Sequence, residues 1–327
     1  VRGNGVAEDY TYIVARLRSL EAVMPERAWY DRLVRTPETG LLPACREHYR
    51  GFEDVGSPAD FEKALEEEKR AMLELITSLL ADDGTKQFMR GRYDFNNLTH
   101  AWKAAKLEVK PALTPFGLVP AETVAQAVST RARGILPPYL EGHLEMLDAT
   151  YEAAKSLAAC EYAGEAAAWR FLFGIAPGEG AVNWLRWKVD LVNIKNALRL
   201  RRSGLRRQNL DAIWIEGGEL DVASLASLAG EAEEEFFAYL ASTSYRRLLG
   251  FGLSREIALW RVDAVMRQML MELIGESRYA FFDLSPVLYH IEVRERDFEV
   301  LRRIIVGVLN RLPESMVLER VSALLPS

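Results

Sequence analysis

One nine-residue pattern occurs three times and constrains the fold more than any other feature. It reads Asp94-Phe95-Asn96-Asn97-Leu98-Thr99-His100-Ala101-Trp102, then Asp190-Leu191-Val192-Asn193-Ile194-Lys195-Asn196-Ala197-Leu198, then Asp297-Phe298-Glu299-Val300-Leu301-Arg302-Arg303-Ile304-Ile305. Each copy opens on an aspartate, with apolar residues at +1, +4, +7 and +8, although +7 is only Ala in the first two. That spacing lines one face of an α-helix and does not alternate as a strand would. The copies lie 190 − 94 = 96 and 297 − 190 = 107 residues apart. This exceeds the period of about 20–50 residues typical of solenoid repeats and matches a small domain. The expectation is three related helical domains over residues 8–112, 113–211 and 212–327.

The rest of the chain supports an all-α class. Ile13 and Leu17, then Trp29, Tyr30, Leu33 and Val34, recur at helical spacing, with Pro25 between them. A short element with Leu41, Leu42, Cys45 and Tyr49 follows. Ser57-Pro58-Ala59-Asp60 opens a long helix that Asp82-Asp83-Gly84 is expected to end. Pro111, Pro115 and Pro120 mark a linker before the cycle restarts. In the second cycle, residues 166–175 read as a separate segment closed by Pro177-Gly178. In the third, the last motif helix is expected to start at Ser285-Pro286. No sustained alternation bounded by hairpin turns is present. Short loops place successive helices side by side, mostly antiparallel.

Composition narrows the function classes. Hydrophobic residues make up 49%, enough to bury a core, and the net charge of −6 argues against bulk nucleic-acid binding. Cys45 and Cys160 are too few for a disulfide framework or a thiolate metal site, which fits a reducing compartment. No apolar run approaches the roughly 18 residues that read as a membrane span. Phosphate-cradling GxxxxGK[ST] and GxGxxG loops are missing, His48, His100, His143 and His290 show no HExxH pairing, and no nucleophile elbow is present. The expectation is a chain with no catalytic residues, no metal and no cofactor.

Asp94 with Asn97, and Asp190 with Asn193, are i, i+3 pairs on one helix edge beside the apolar face. The simplest reading is a hydrogen-bonded seam within or between domains; the sharper one is a partner surface. Val300 replaces the amide beside Asp297, so a catalytic role common to all three copies is disfavoured. Arg199, Arg201, Arg202, Arg206 and Arg207 form the densest basic cluster. Cations favour a helix C-terminus, but five exceed that need, and contact with an acidic partner or a membrane-side surface is the sharper alternative. The run Glu66-Glu67-Glu68 reads as a solvated helix face.

The ordered set of motifs resembles the C-type subunit family of A/V-type ATP synthases, whose counterpart in the eukaryotic vacuolar proton pump is the d-type subunit. The resemblance rests on residues 10–18, Tyr93-Asp94-Phe95-Asn96-Asn97-Leu98, the stretch 189–198 running into Gly204-Leu205, Glu216-Gly217-Gly218-Glu219-Leu220, and residues 292–302. It implies a funnel of three similar helical domains about a pseudo-three-fold axis. It also implies a rotor adaptor between the central-stalk subunits (D and F type) and the membrane proteolipid ring, held peripherally on the cytoplasmic side and catalysing nothing. An unrelated helical scaffold is the main rival. An all-α enzyme acting on a prenyl diphosphate would need paired acid-rich motifs, of which Asp82-Asp83 is the single hint.

Overall fold

The computed structural model describes residues 10–132, 134–203, 213–230, 233–253, 257–280 and 283–325, and every regular element among them is helical. The chain divides into two compact units: Val1–Leu79 with Tyr245–Ser327, and Leu80–Ser244. The first boundary falls between the long helix of the first cycle and its motif helix. The first motif helix therefore clusters with residues that follow it rather than with those that precede it.

The first unit contains α1 (Thr11–Glu21), α2 (Arg27–Val34), α3 (Glu38–Arg46) and α4 (Phe61–Leu79) from the N-terminal part. From the C-terminal part it contains α12 (Arg247–Gly250), α13 (Leu259–Gly275), α14 (Ser285–Leu309) and α15 (Glu314–Ser322). The remaining helices, α5 (Asp83–Lys106), α6 (Ala121–Thr130), α7 (His143–Ala154), α8 (Leu157–Ile175), α9 (Glu179–Ser203), α10 (Val222–Leu228) and α11 (Glu233–Ala241), form the second unit.

In the first unit α14 is the central element, packed by α1, α2, α3, α4, α13 and α15. Its motif residues Phe298, Leu301, Ile304 and Ile305 are buried with Trp29, Tyr30, Leu33, Leu41 and Tyr49. Each fully buried apolar side chain of this kind is worth about 1.5–3 kcal/mol relative to exposure. The flanks of α14 carry charge into the interior. Fully buried Glu292 accepts from Arg267 at 2.9 Å, Lys69 pairs with Glu295 at 2.7 Å, and Arg294 pairs with Glu68 at 2.8 Å. Glu68 also accepts the Gly51 N–H at 2.8 Å. It therefore departs from the solvated face expected of the acidic run: it closes a seam between α4 and α14.

In the second unit α5 packs on α6, α7 and α8, and α9 packs on α8 and α10. Phe95, Leu98 and Trp102 of α5 share a core with Val124, Leu140, Leu147 and Ala168. The indole N–H of Trp102 donates to Asp148 at 2.8 Å, satisfying its polar edge inside that core.

Two local expectations are corrected. Asp82-Asp83-Gly84 does not end α4; it opens α5, because the Asp82 carboxylate accepts the Thr85 N–H at 2.6 Å as an N-cap. Residues 166–175 are not a separate segment but the second half of α8. The break comes earlier, where Lys155 ends α7 in the left-handed region (φ 48°) and Ser156 caps α8 through the Ala159 N–H.

Candidate functional site

The three repeated aspartates are all buried: Asp94 and Asp190 are 0% exposed and Asp297 is 2% exposed. A carboxylate at such depth requires hydrogen bonds to both oxygens; Asp94 and Asp190 meet the need with residues from outside their own helices, and Asp297 with two from outside and one from α14 itself.

Asp94, in the middle of α5, is covered by the loop that leads into α6. Its Oδ1 accepts the Val119 N–H at 2.9 Å, and its Oδ2 accepts the Tyr139 hydroxyl at 2.7 Å. One turn on, Asn97 reads the same loop with both ends of its amide. It donates to the Thr114 carbonyl and accepts the Thr114 N–H, each at 2.9 Å. Burial raises the Asp94 carboxyl above the usual aspartate range, against the opposing pull of these hydrogen bonds.

Asp190, in α9, is held by the loop before α10 in the same manner. Oδ2 accepts the Glu219 N–H at 2.8 Å and Oδ1 accepts the Leu220 N–H at 3.2 Å. Asn193 donates to the Ile215 carbonyl at 2.7 Å and accepts the Ile215 N–H at 3.0 Å. Both loops place a glycine against the carboxylate. A Cβ built on Gly117 would overlap Asp94, and one on Gly218 would overlap Asp190. These glycines stand two residues before the donors Val119 and Leu220, and four before the first residues of α6 and α10.

Asp297, in α14, is held differently. Its Oδ1 accepts the hydroxyls of Tyr30 and of Tyr49, the latter at 2.6 Å, and its Oδ2 accepts from Arg294 at 2.8 Å. The position two residues before the start of α2 is Pro25, which has no N–H to give. The Tyr30 side chain, at the third residue after the start of α2, supplies the donor that the loop lacks. Where Asn97 and Asn193 clasp a loop, Val300 is fully buried among apolar side chains. Burial raises the Asp297 carboxyl, with Arg294 as the largest opposing influence.

Arg199 is exposed near the end of α9, Arg201 and Arg202 lie in its last turn, and Arg206 and Arg207 lie outside the described residues. Sequence reasoning missed Tyr30, Tyr49, Tyr139 and Arg294 as partners of the aspartates. The Gly-x-Val and Gly-x-Leu triplets ending one residue before the helix N-caps were the available signal for the two loops.

His143 is buried against Phe95 with its Nε2 at 2.9 Å from the Thr99 hydroxyl, and burial pulls its pKa down to about 4. Among the described residues no three His, Cys, Asp or Glu side chains group as metal ligands, and no helix is long and apolar enough to cross a membrane. Asp94 and Asp190 have both oxygens engaged by fixed donors and no exposure, which suits them to hold loops on helices rather than to exchange protons with a substrate.

Comparison with known proteins extends over nearly the entire chain. A family profile described as ATP synthase (C/AC39) subunit matches residues 13–320. The C subunit of the A-type ATP synthase of Halobacterium salinarum is 26% identical, with 91% of this chain and 93% of that protein covered. The C subunit of the A-type ATP synthase of a Desulfurococcus species is 23% identical, with 90% and 85% covered. With all three aspartates inside the matched range, the chain belongs to the ATP synthase (C/AC39) subunit family.

Proposed function

We propose that this protein is a non-catalytic rotor adaptor of an A/V-type ATP synthase or ATPase. It joins the central stalk to the proteolipid ring and passes torque between them during ATP-coupled ion transport, peripheral to the membrane on its cytoplasmic side. The observation that carries the reading is the family match over residues 13–320, together with relatives whose lengths it spans almost fully. In this reading the three motif helices mark three related domains of about 100 residues arranged as a funnel. A torque-bearing part has to resist shear, and loops bonded to helices through buried carboxylates and amides suit that demand. Each such bond is worth about 0.5–1.5 kcal/mol net, and leaving a partner unpaired costs more. The basic residues Arg199, Arg201, Arg202, Arg206 and Arg207 are proposed to meet an acidic surface of the stalk or the ring.

The test is reconstitution of the purified chain with the stalk subunits and, separately, with the detergent-solubilised ring. The wild type is expected to join both, and reversal of the five arginines to glutamate is expected to weaken one of the two associations. Failure of the wild type to join either would overturn the adaptor reading. Unchanged binding of the reversed variant would remove the arginines from it.

A further inference from the structure

A hollow of about 420 Å³ lies in the first unit. Its walls are α1 with the turn that follows it, α4, one flank of α14, and the 3₁₀ turn Arg50–Phe52 that comes before α4. Much of its lining is apolar. Leu17 and Met72 are buried, Leu20, Met24 and Leu75 are half-buried, and Val23 is 69% exposed. A single exposed apolar side chain is ordinary, but here several from two helices converge on one space.

The deeper polar groups of the lining are engaged. Glu68 accepts from Arg294 and from the Gly51 N–H, each at 2.8 Å. Arg294 also donates to Asp297 at 2.8 Å. His290 lies 3.0 Å from Glu21, and His48 packs edge-on against Trp29. Arg16 and Arg50 differ. Both are exposed, and neither side chain makes a hydrogen bond or ion pair among the described residues. The lining holds one carboxylate, Glu68, which is already paired, while two accessible guanidinium groups on separate elements are left uncompensated. This local excess of positive charge stands in a chain whose net charge is −6.

We propose that this hollow binds a single-chain carboxylate amphiphile of the medium-chain fatty-acid class, with its acyl chain on the apolar lining and its carboxylate at Arg16 and Arg50. A guanidinium presents a planar fork of N–H donors that a carboxylate matches, and such charge-assisted bonds are roughly twice as strong as neutral ones. Each methylene taken out of water strengthens binding about fourfold. An inorganic anion would leave the apolar lining wet, a neutral alcohol would forgo the arginines, and a cation would meet like charge. Met24 and Met72 are flexible enough to fit a chain of no fixed shape. The volume lies in the range of small-ligand sites, whereas a stable protein contact needs about 800 Å² from each partner. Such binding is independent of the adaptor role.

The test follows the methionine methyl resonances of the full-length chain, labelled with ¹³C at those methyls. Met24 and Met72 are assigned by their loss in M24L and M72L, and the chain has 8 methionines, so the rest serve as an internal control. The probes are sodium octanoate, sodium hexanoate, octyltrimethylammonium bromide and a capped Leu-Glu-Leu peptide, at matched ionic strength and below micelle formation. Octanoate is expected to move the Met24 and Met72 methyls saturably and leave the others in place. Hexanoate, two methylenes shorter, is expected to bind about tenfold more weakly, and the octyl cation more weakly than octanoate in spite of the negative chain. R16Q/R50Q is expected to weaken octanoate about tenfold, the size of a lost hydrogen bond between charged groups, and to erase the preference over the cation. Ala71→Trp, at an exposed position of the lining, is expected to block octanoate in a chain that keeps both arginines. No saturable shift up to about 20 mM, beyond any useful affinity, would overturn the proposal. So would shifts spread over all the methionines, equal binding of hexanoate or of the cation, octanoate binding unchanged in R16Q/R50Q or Ala71→Trp, or a response to the peptide alone, which would mark a protein partner.

Discussion

Asp94 in the second unit and Asp297 in the first occupy the same place in the repeated motif and are equally buried, yet they are satisfied by opposite means. Asp94 takes a main-chain N–H and one hydroxyl, so its role is to fasten a loop. Asp297 takes two tyrosine hydroxyls and a guanidinium, so it is the anionic centre of a side-chain cluster. The aspartate and the helical phase are common to both, but the partner that neutralises the carboxylate is free to change. A repeat can therefore keep its architecture while the groups that satisfy its aspartate change from one copy to another.

The comparison implies unequal costs for the same deletion. Asp297→Ala strands Arg294 and two buried hydroxyls together and is expected to cost about 3–5 kcal/mol, the range for breaking a buried ion pair. Asp94→Ala leaves one N–H and one hydroxyl and is expected to cost about 1–3 kcal/mol. Urea unfolding followed by both tryptophan fluorescence and helical circular dichroism measures the two. Equal losses would mean that the charged partner of Asp297 contributes nothing special.

Acid should separate the units next. His143 in the second unit is buried with its folded pKa near 4, below the unfolded value of about 6.5. Between these values the unfolded chain binds the extra proton, so stability falls as pH falls through that window. The loss is expected to be on the order of 3 kcal/mol by pH 4. Asp94 and Asp297 work in the other direction. Their folded pKa values are raised, so each contribution is fully present below the unfolded value and declines as pH rises through the folded one. Stability measured against pH for His143→Leu should show a shallower acid slope than wild type. An identical slope would assign the acid sensitivity to other groups.

The smallest expected effect sharpens the loop comparison. Gly117→Ala should cost about 1–3 kcal/mol, because the new methyl overlaps the Asp94 carboxylate. Gly218→Ala should behave likewise. Val23 holds the corresponding position before α2 and is 69% exposed, so Val23→Ala should change stability by no more than about 0.5 kcal/mol. A calorimetric melt of the three variants is sufficient. A harmless Gly117→Ala would show that the loop does not press on the aspartate.

The all-helical class was legible because apolar spacing survives in every motif copy, and the start of α14 at Ser285-Pro286 was legible from a proline suited to a first turn. Asp82-Asp83-Gly84 was misread because acid and glycine occur at both ends of helices. The cap is decided by which N–H the carboxylate reaches, and that is a matter of geometry. The division of α7 from α8 was hidden for a related reason: Lys155 adopts a left-handed conformation that its identity does not announce. The partners of the aspartates were hidden by distance. Tyr139 lies 45 residues from Asp94 and Tyr49 lies 248 from Asp297, beyond the reach of any local periodicity.

That last separation bears on how the chain matures. The helices of the N-terminal part, α1 to α4, have α14 as a central packing partner, and about 200 residues intervene. At roughly 5–20 residues per second, the ribosome takes on the order of 10–40 s to supply it. During that interval the apolar faces of Trp29, Leu33 and Leu41 lack the surface they finally pack against, and the second unit becomes complete in sequence at Ser244, before α14 begins. Nascent chains stalled before residue 285 should therefore carry a folded second unit and a first part that recruits chaperones, which makes synthesis beyond residue 285 the event that commits the molecule to assembly.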